Sequence, residues 1–146
     1  HPLTRALRPD KLCLTGLQET LLHYLREEAI EKVPVWRMIA MPLHTIADRA
    51  AMWRQALSQS GVAAEVVAGR STIGGGSLPG ETLPTSLLSL PAEHPDQLAR
   101  LLRDADPPVI GRIEDDRLVL DPRTVLPEDE QTLLENVVTA VQRSPL

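Results

Sequence analysis

The sequence contains no phenylalanine, one cysteine and two lysines, and only three aromatic residues, Tyr24, Trp36 and Trp53. Each scarcity excludes something. A lone Cys13 forms neither an intrachain disulfide nor a zinc cluster, which fits a reducing compartment. So few rings, with a net charge of −5, do not suit a free-standing nucleic-acid binder, which needs a basic field and stacking platforms. No run approaches the roughly 18 uninterrupted apolar residues of a membrane span, and no signal-peptide pattern opens the chain. The expectation is a soluble, cytoplasmic protein with no membrane contact. His1, His23, His44 and His94 lack metal-ligand spacing, and Lys11 and Lys32 are the only amines open to lysine chemistry.

What is there is enough to fold. Hydrophobic residues make up 42% and charged residues 24% of 146 positions, a globular composition. The start at His1-Pro2, without methionine, reads as a piece cut from something longer. Asp10 can cap a helix running to about residue 31, with Leu14, Leu17, Leu21 and Leu25 on one face. A short helix fits between Pro34 and Pro42. A longer one then carries Leu43, Ile46, Ala50, Trp53 and Leu57 until Gly61 ends it.

From Val62 the texture turns to β-branched and small residues. A strand through Val66 and Val67 runs into the glycine loop Gly74 to Gly80, and Thr85 to Leu90 forms a second strand. A helix opens at Pro95-Asp96 with Leu98, Leu101 and Leu102 on one face. Strands at 109–113 and 118–120 follow as a hairpin, with a loop of two or four residues. Either loop pairs Ile113 with Leu118. That register puts Val109, Gly111, Ile113, Leu118 and Leu120 on an apolar face, and Arg112, Glu114, Arg117, Val119 and Asp121 on the other. A last helix starts at Pro127 with a stripe of Leu134, Val137, Val138 and Val141. The predicted class is α+β: a small antiparallel sheet backed by helices and preceded by two long helices, with a helical segment over 1–61 and an α+β domain over 62–146.

Few residues stand out chemically. Arg5 and Arg8, three apart on a helical turn, present two guanidinium groups to one side, a geometry suited to a phosphate-like anion. On spacing alone, two solvated arginines are the simpler reading. The glycine loop lacks the lysine and following helix of a nucleotide loop and reads as a turn. Arg112 lies mid-strand with Asp121 diagonal to it across the ladder, either as an anion receptor held by an aspartate or, more simply, as a surface ion pair. Cys13, between Leu12 and Leu14 with no partner motif, reads as a core or half-buried side chain rather than a nucleophile.

Three segments together carry a resemblance: 1–11 (HPLTRALRPDK), 74–79 (GGGSLP), and 108–125, with its PVIGRI and LVLDPRTV runs. In this order they resemble the C-terminal part of the bacterial selenocysteine synthase family, the L-seryl-tRNA(Sec) selenium transferases, and the likeness runs over essentially the whole chain. The resemblance implies the C-terminal small domain of a fold-type I pyridoxal-phosphate enzyme. Such an enzyme dehydrates seryl-tRNA(Sec) to an aminoacrylyl intermediate and adds selenium from selenophosphate. It implies that the Schiff-base lysine lies outside this stretch, since neither Lys11 nor Lys32 stands in the cofactor motif, so that pyridoxal phosphate binds elsewhere and the fragment alone is inactive. It assigns Arg5 and Arg8 to the anionic selenium donor, and it implies a homo-oligomer. Arg112 falls at a carboxylate-clamp position of the fold type, but the seryl carboxyl is an ester, leaving a cleft-lining or tRNA-end contact. Pro9 departs from the aliphatic residue usual in the family. Two alternatives stay open: a fold-type I lyase with another substrate, and a free-standing α+β binding module.

Overall fold

The computed structural model describes residues 8–74 and 80–144. Its contacts divide the chain into two compact units, His1–Ala40 and Met41–Leu146.

The first unit holds α1 (Lys11–Leu25), α2 (Ala29–Lys32) and α3 (Pro34–Ala40). Asp10 caps α1, its carboxylate accepting from the Cys13 amide at 2.8 Å. The helix stops six residues short of its predicted end because Glu27 adopts φ 59°. The Glu28 amide then donates to the His23 carbonyl and the Glu27 amide to that of Tyr24, a Schellman closure made without glycine. His23 Nδ1 and Glu28 Oε1 lie 2.8 Å apart across the break, and this bond chiefly holds the Glu28 carboxyl below its ordinary range. No residue of α1 is buried, and Leu14, Leu17 and Leu21 are all more than half exposed. Cys13 is exposed with them, which corrects the expectation of a core cysteine.

The cap gives α1 a pH dependence. The backbone bond from Cys13 holds the Asp10 carboxyl below its ordinary 3.8. A depressed carboxylate contributes stability that is complete above the ordinary value and lost as pH falls through the lower, folded value. Circular dichroism at 222 nm should therefore show helix lost on acidification below about pH 4. In Asp10→Asn, which keeps an acceptor, that part of the transition should vanish. An unchanged acid limb in the variant would refute the assignment.

The second unit is built on α4 (Leu43–Gln59), β1 (Glu65–Thr72), β2 (Thr82–Pro91), α5 (Pro95–Arg103), β3 (Arg112–Glu114), β4 (Arg117–Leu120) and α6 (Glu130–Arg143), with 3₁₀ turns at Pro122–Thr124 and Pro127–Asp129. α4 thus belongs with the sheet. Gly61, at φ 77°, supplies its left-handed stop, with Val62 donating to the Leu57 carbonyl. The four strands run antiparallel in the order β1-β2-β4-β3. The β3–β4 loop is the two-residue form. Asp115 and Asp116 have φ of 49° and 56°, the signature of a type I′ turn, and Ile113 pairs with Leu118.

One face of the sheet meets the helices. Leu88, Leu90, Leu118 and Leu120 pack with Trp53 and Leu57 of α4, Leu98 and Leu102 of α5, and Leu133 and Val137 of α6. Val109 and Gly111 precede β3 rather than forming part of it, and Ile113, on the short edge strand, is 41% exposed. The other face is closed only in part: Leu87, Ser89 and Val119 are buried, and Leu87 packs so close to β1 that a Cβ on Gly69 would fall 2.4 Å from it, whereas Arg112, Glu114 and Arg117 remain partly exposed.

Candidate functional site

Of the three arginines singled out in the sequence, Arg5 lies outside the described residues, as do residues 75–79 of the glycine loop. Arg8 is exposed, two residues before the Asp10 cap in the first unit. Arg112 belongs to the second unit, and its surroundings can be followed atom by atom.

Arg112 sits on edge strand β3, opposite Val119. Residues two apart in a strand share a face, so Glu114 lies alongside, its Oε1 accepting from Arg112 Nε at 2.9 Å and Nη2 at 2.8 Å. Nη2 also donates to the Arg70 carbonyl of β1 at 3.2 Å. Since β1 and β3 are opposite edges of the sheet, the side chain reaches from one edge to the other. Nη1 makes no hydrogen bond among the described residues, and the side chain is 42% exposed. The guanidinium is therefore held on two sides and open on the third, with two N–H groups free for an anion.

The expected Arg112–Asp121 pair does not form. Asp121, one residue past the end of β4, is 7% exposed and turns toward the β1–β2 hairpin. Its carboxylate accepts from Ser71 Oγ at 2.5 Å, Thr85 Oγ1 at 2.9 Å and the Arg123 amide at 3.0 Å. Arg123, 5% exposed, donates from Nε to Ser71 Oγ and from Nη2 to the Pro84 carbonyl at 2.6 Å. Burial lowers the Arg123 pKa, and the Asp121 charge pushes it back up. Arg49 of α4 is a second buried guanidinium, bonded to Glu130 and to the Pro122 and Val125 carbonyls.

Arg49 and Arg123 escaped the sequence reading and Asp121 was given the wrong partner, though signals for them exist. Arg49 falls on the buried stripe between Ile46 and Trp53, at a spacing that makes it core, yet its charge argues for surface. Asp121-Pro122 marks a turn in which the aspartate caps its own backbone.

Lys11 and Lys32 are both exposed, the first opening α1 and the second closing α2, whereas a reactive amine needs a walled, desolvated site. A cleft of about 590 Å³ beside the β3–β4 turn, floored by Leu98 and Val141 and rimmed by Asp115 and Asp116, includes neither Arg8 nor Arg112. Among the described residues no group of three His, Cys, Asp or Glu could hold a metal, and no helix is long and apolar enough to cross a membrane.

Comparison with known proteins gives one consistent result. The sequence model of a family described as L-seryl-tRNA selenium transferase matches residues 1–126. The L-seryl-tRNA(Sec) selenium transferase of Desulfovibrio desulfuricans is 47% identical over 144 residues, covering 92% of this chain and 30% of its own length. Those of Hyphomonas neptunium (40% identical, 92% of this chain and 30% of its own length) and Carboxydothermus hydrogenoformans (38%, 88% and 28%) are similar in the same way. The chain thus spans about 30% of the length of the curated relatives it matches.

Proposed function

The chain belongs to the L-seryl-tRNA selenium transferase family, and from that premise we propose that it is the C-terminal part of a fold-type I, pyridoxal-phosphate-dependent enzyme. That enzyme turns seryl-tRNA(Sec) into selenocysteinyl-tRNA(Sec) with selenophosphate as donor, as a cytoplasmic homo-oligomer. The observation that carries this reading is kinship over about nine-tenths of the chain with enzymes of that name. In this reading the cofactor lysine belongs to another part of the protein, in keeping with the exposed positions of Lys11 and Lys32, and the chain alone catalyses nothing.

Its own contribution is anion recognition. Arg5 and Arg8 hold the selenophosphate or the phosphate it leaves, two fixed forks gripping one tetrahedral anion. Arg112, with Nη1 open, contacts a phosphate near the acylated tRNA end, since the seryl ester offers no carboxylate.

The test is a chimera in which this chain replaces the corresponding 30% of the Desulfovibrio desulfuricans relative. Selenium transfer to seryl-tRNA(Sec) that falls at least about 100-fold in Arg5→Ala and Arg8→Ala supports the proposal. An active chimera indifferent to both changes overturns it, as does one that binds pyridoxal phosphate without transferring selenium.

A further inference from the structure

We propose that Asp121 is a positioning residue for Arg112: with Ser71 and Thr85 it fixes the stretch of β1 whose carbonyl holds the Arg112 guanidinium. The inference rests on the reading of Arg112 as a substrate contact, and concerns how that side chain is aimed.

The geometry follows from where the ladders end. β2 pairs with β1 over its length, Thr72 to Glu65, but with β4 only from Leu88 to Pro91. Toward the glycine loop, the β1–β2 hairpin therefore runs on as a two-stranded ribbon. Such ribbons twist more strongly than wider sheets and are marginally stable on their own. Arg70, Ser71, Pro84 and Thr85 all lie in that part. Pro84 has no amide to offer a neighbouring strand, and its carbonyl is met by the Arg123 guanidinium instead.

Asp121 closes this gap. One carboxylate reaches Ser71 on β1 and Thr85 on β2, and Ser71 in turn accepts from Arg123. A serine hydroxyl has one proton, here given to Asp121, and two lone pairs, one of them here taken by Arg123, so it is engaged as donor and acceptor at once. All four side chains are buried. The Arg70 carbonyl, adjacent to Ser71, is thereby fixed in place, and Arg112 of the opposite edge strand donates to it. If the ribbon drifts, Arg112 loses that acceptor and keeps only Glu114, a partner that moves with β3.

The test reads the guanidinium directly, in the 146-residue chain carrying Glu114→Ala so that the Arg70 carbonyl is the remaining partner of Arg112. The rate of rotation about its Nε–Cζ bond, taken from the Nη resonances, should rise about tenfold in Ser71→Ala, in line with the loss of a hydrogen bond. Arg117, bonded to Glu65 at the far end of β1, serves as the internal reference and should not change. Thr85→Val, which preserves side-chain shape, is the second variant and should shift Arg112 in the same direction. Unchanged rotation of Arg112 in the folded variants overturns the inference, and so does an equal rise at Arg112 and Arg117, which signals general loosening. The substrate role fails separately: an Arg112→Ala chimera with an unchanged KM for seryl-tRNA(Sec) refutes that role without touching the rotation result.

Discussion

Arg123→Met is expected to destabilise the second unit by about 3–5 kcal/mol, the loss typical of leaving a buried charge uncompensated. The methionine keeps the length of the side chain and removes its charge and donors. Asp121 is then left as a buried carboxylate without its cationic neighbour, the Pro84 carbonyl loses its donor, and Ser71 loses one of two partners. Against a total of roughly 5–15 kcal/mol for a domain, this leaves little margin. Urea denaturation followed by far-ultraviolet circular dichroism measures it. Adding Asp121→Asn to Arg123→Met should recover part of the loss, because the orphaned charge goes with it. A loss under about 1 kcal/mol would mean that Asp121 does not depend on its cationic neighbour, and the account of this network would be wrong.

The second large effect is expected at Trp53, with a marked dependence on the replacement. The ring is 1% exposed, packs in the main core and has the Arg49 guanidinium 5.8 Å from its centroid. Trp53→Ala should cost about 3–5 kcal/mol through lost burial and a cavity. Trp53→Phe should cost far less. The indole Nε1–H is buried and meets no acceptor among the described residues, so removing it relieves a penalty of about 1–3 kcal/mol that offsets much of the lost volume. The midpoints of urea unfolding should therefore rank wild type and Phe close together, with Ala well below. Equal loss in the two variants would show that the indole nitrogen is satisfied after all.

Spacing in the sequence was informative wherever a single periodicity decided the outcome. The α4 stripe of Ile46, Ala50, Trp53 and Leu57 is buried as its steps of three and four require, though Leu43 at its start is 47% exposed, and Ile113 faces Leu118 in the hairpin under either loop length. Gly61 announced its helix stop; Glu27 did not, because glutamate rarely takes a left-handed conformation and nothing local marks it. Burial was less legible. Leu14, Leu17 and Leu21 define an apolar face, but a periodicity does not say which surface covers it, and Cys13 followed them into solvent. The polar interior was missed for a related reason. Asp121 lies one residue beyond the β4 ladder, where pairing rules stop applying, so extrapolating the register aimed it at Arg112 instead of Ser71 and Thr85.

The acceptor that holds Arg112 has a bearing on how this protein can vary. Position 70 contributes its main-chain oxygen, not its side chain. Its side chain has a different task, tying β1 to Thr82 of β2, so a replacement there keeps the acceptor for Arg112 but unties the ribbon end, and a mutational scan should find position 70 partly sensitive. The heavier demand falls on small hydroxyl side chains at 71 and 85 and a carboxylate 36 positions beyond the second of them. Replacements at 71, 85 and 121 should therefore cost the contact more than replacements at 70.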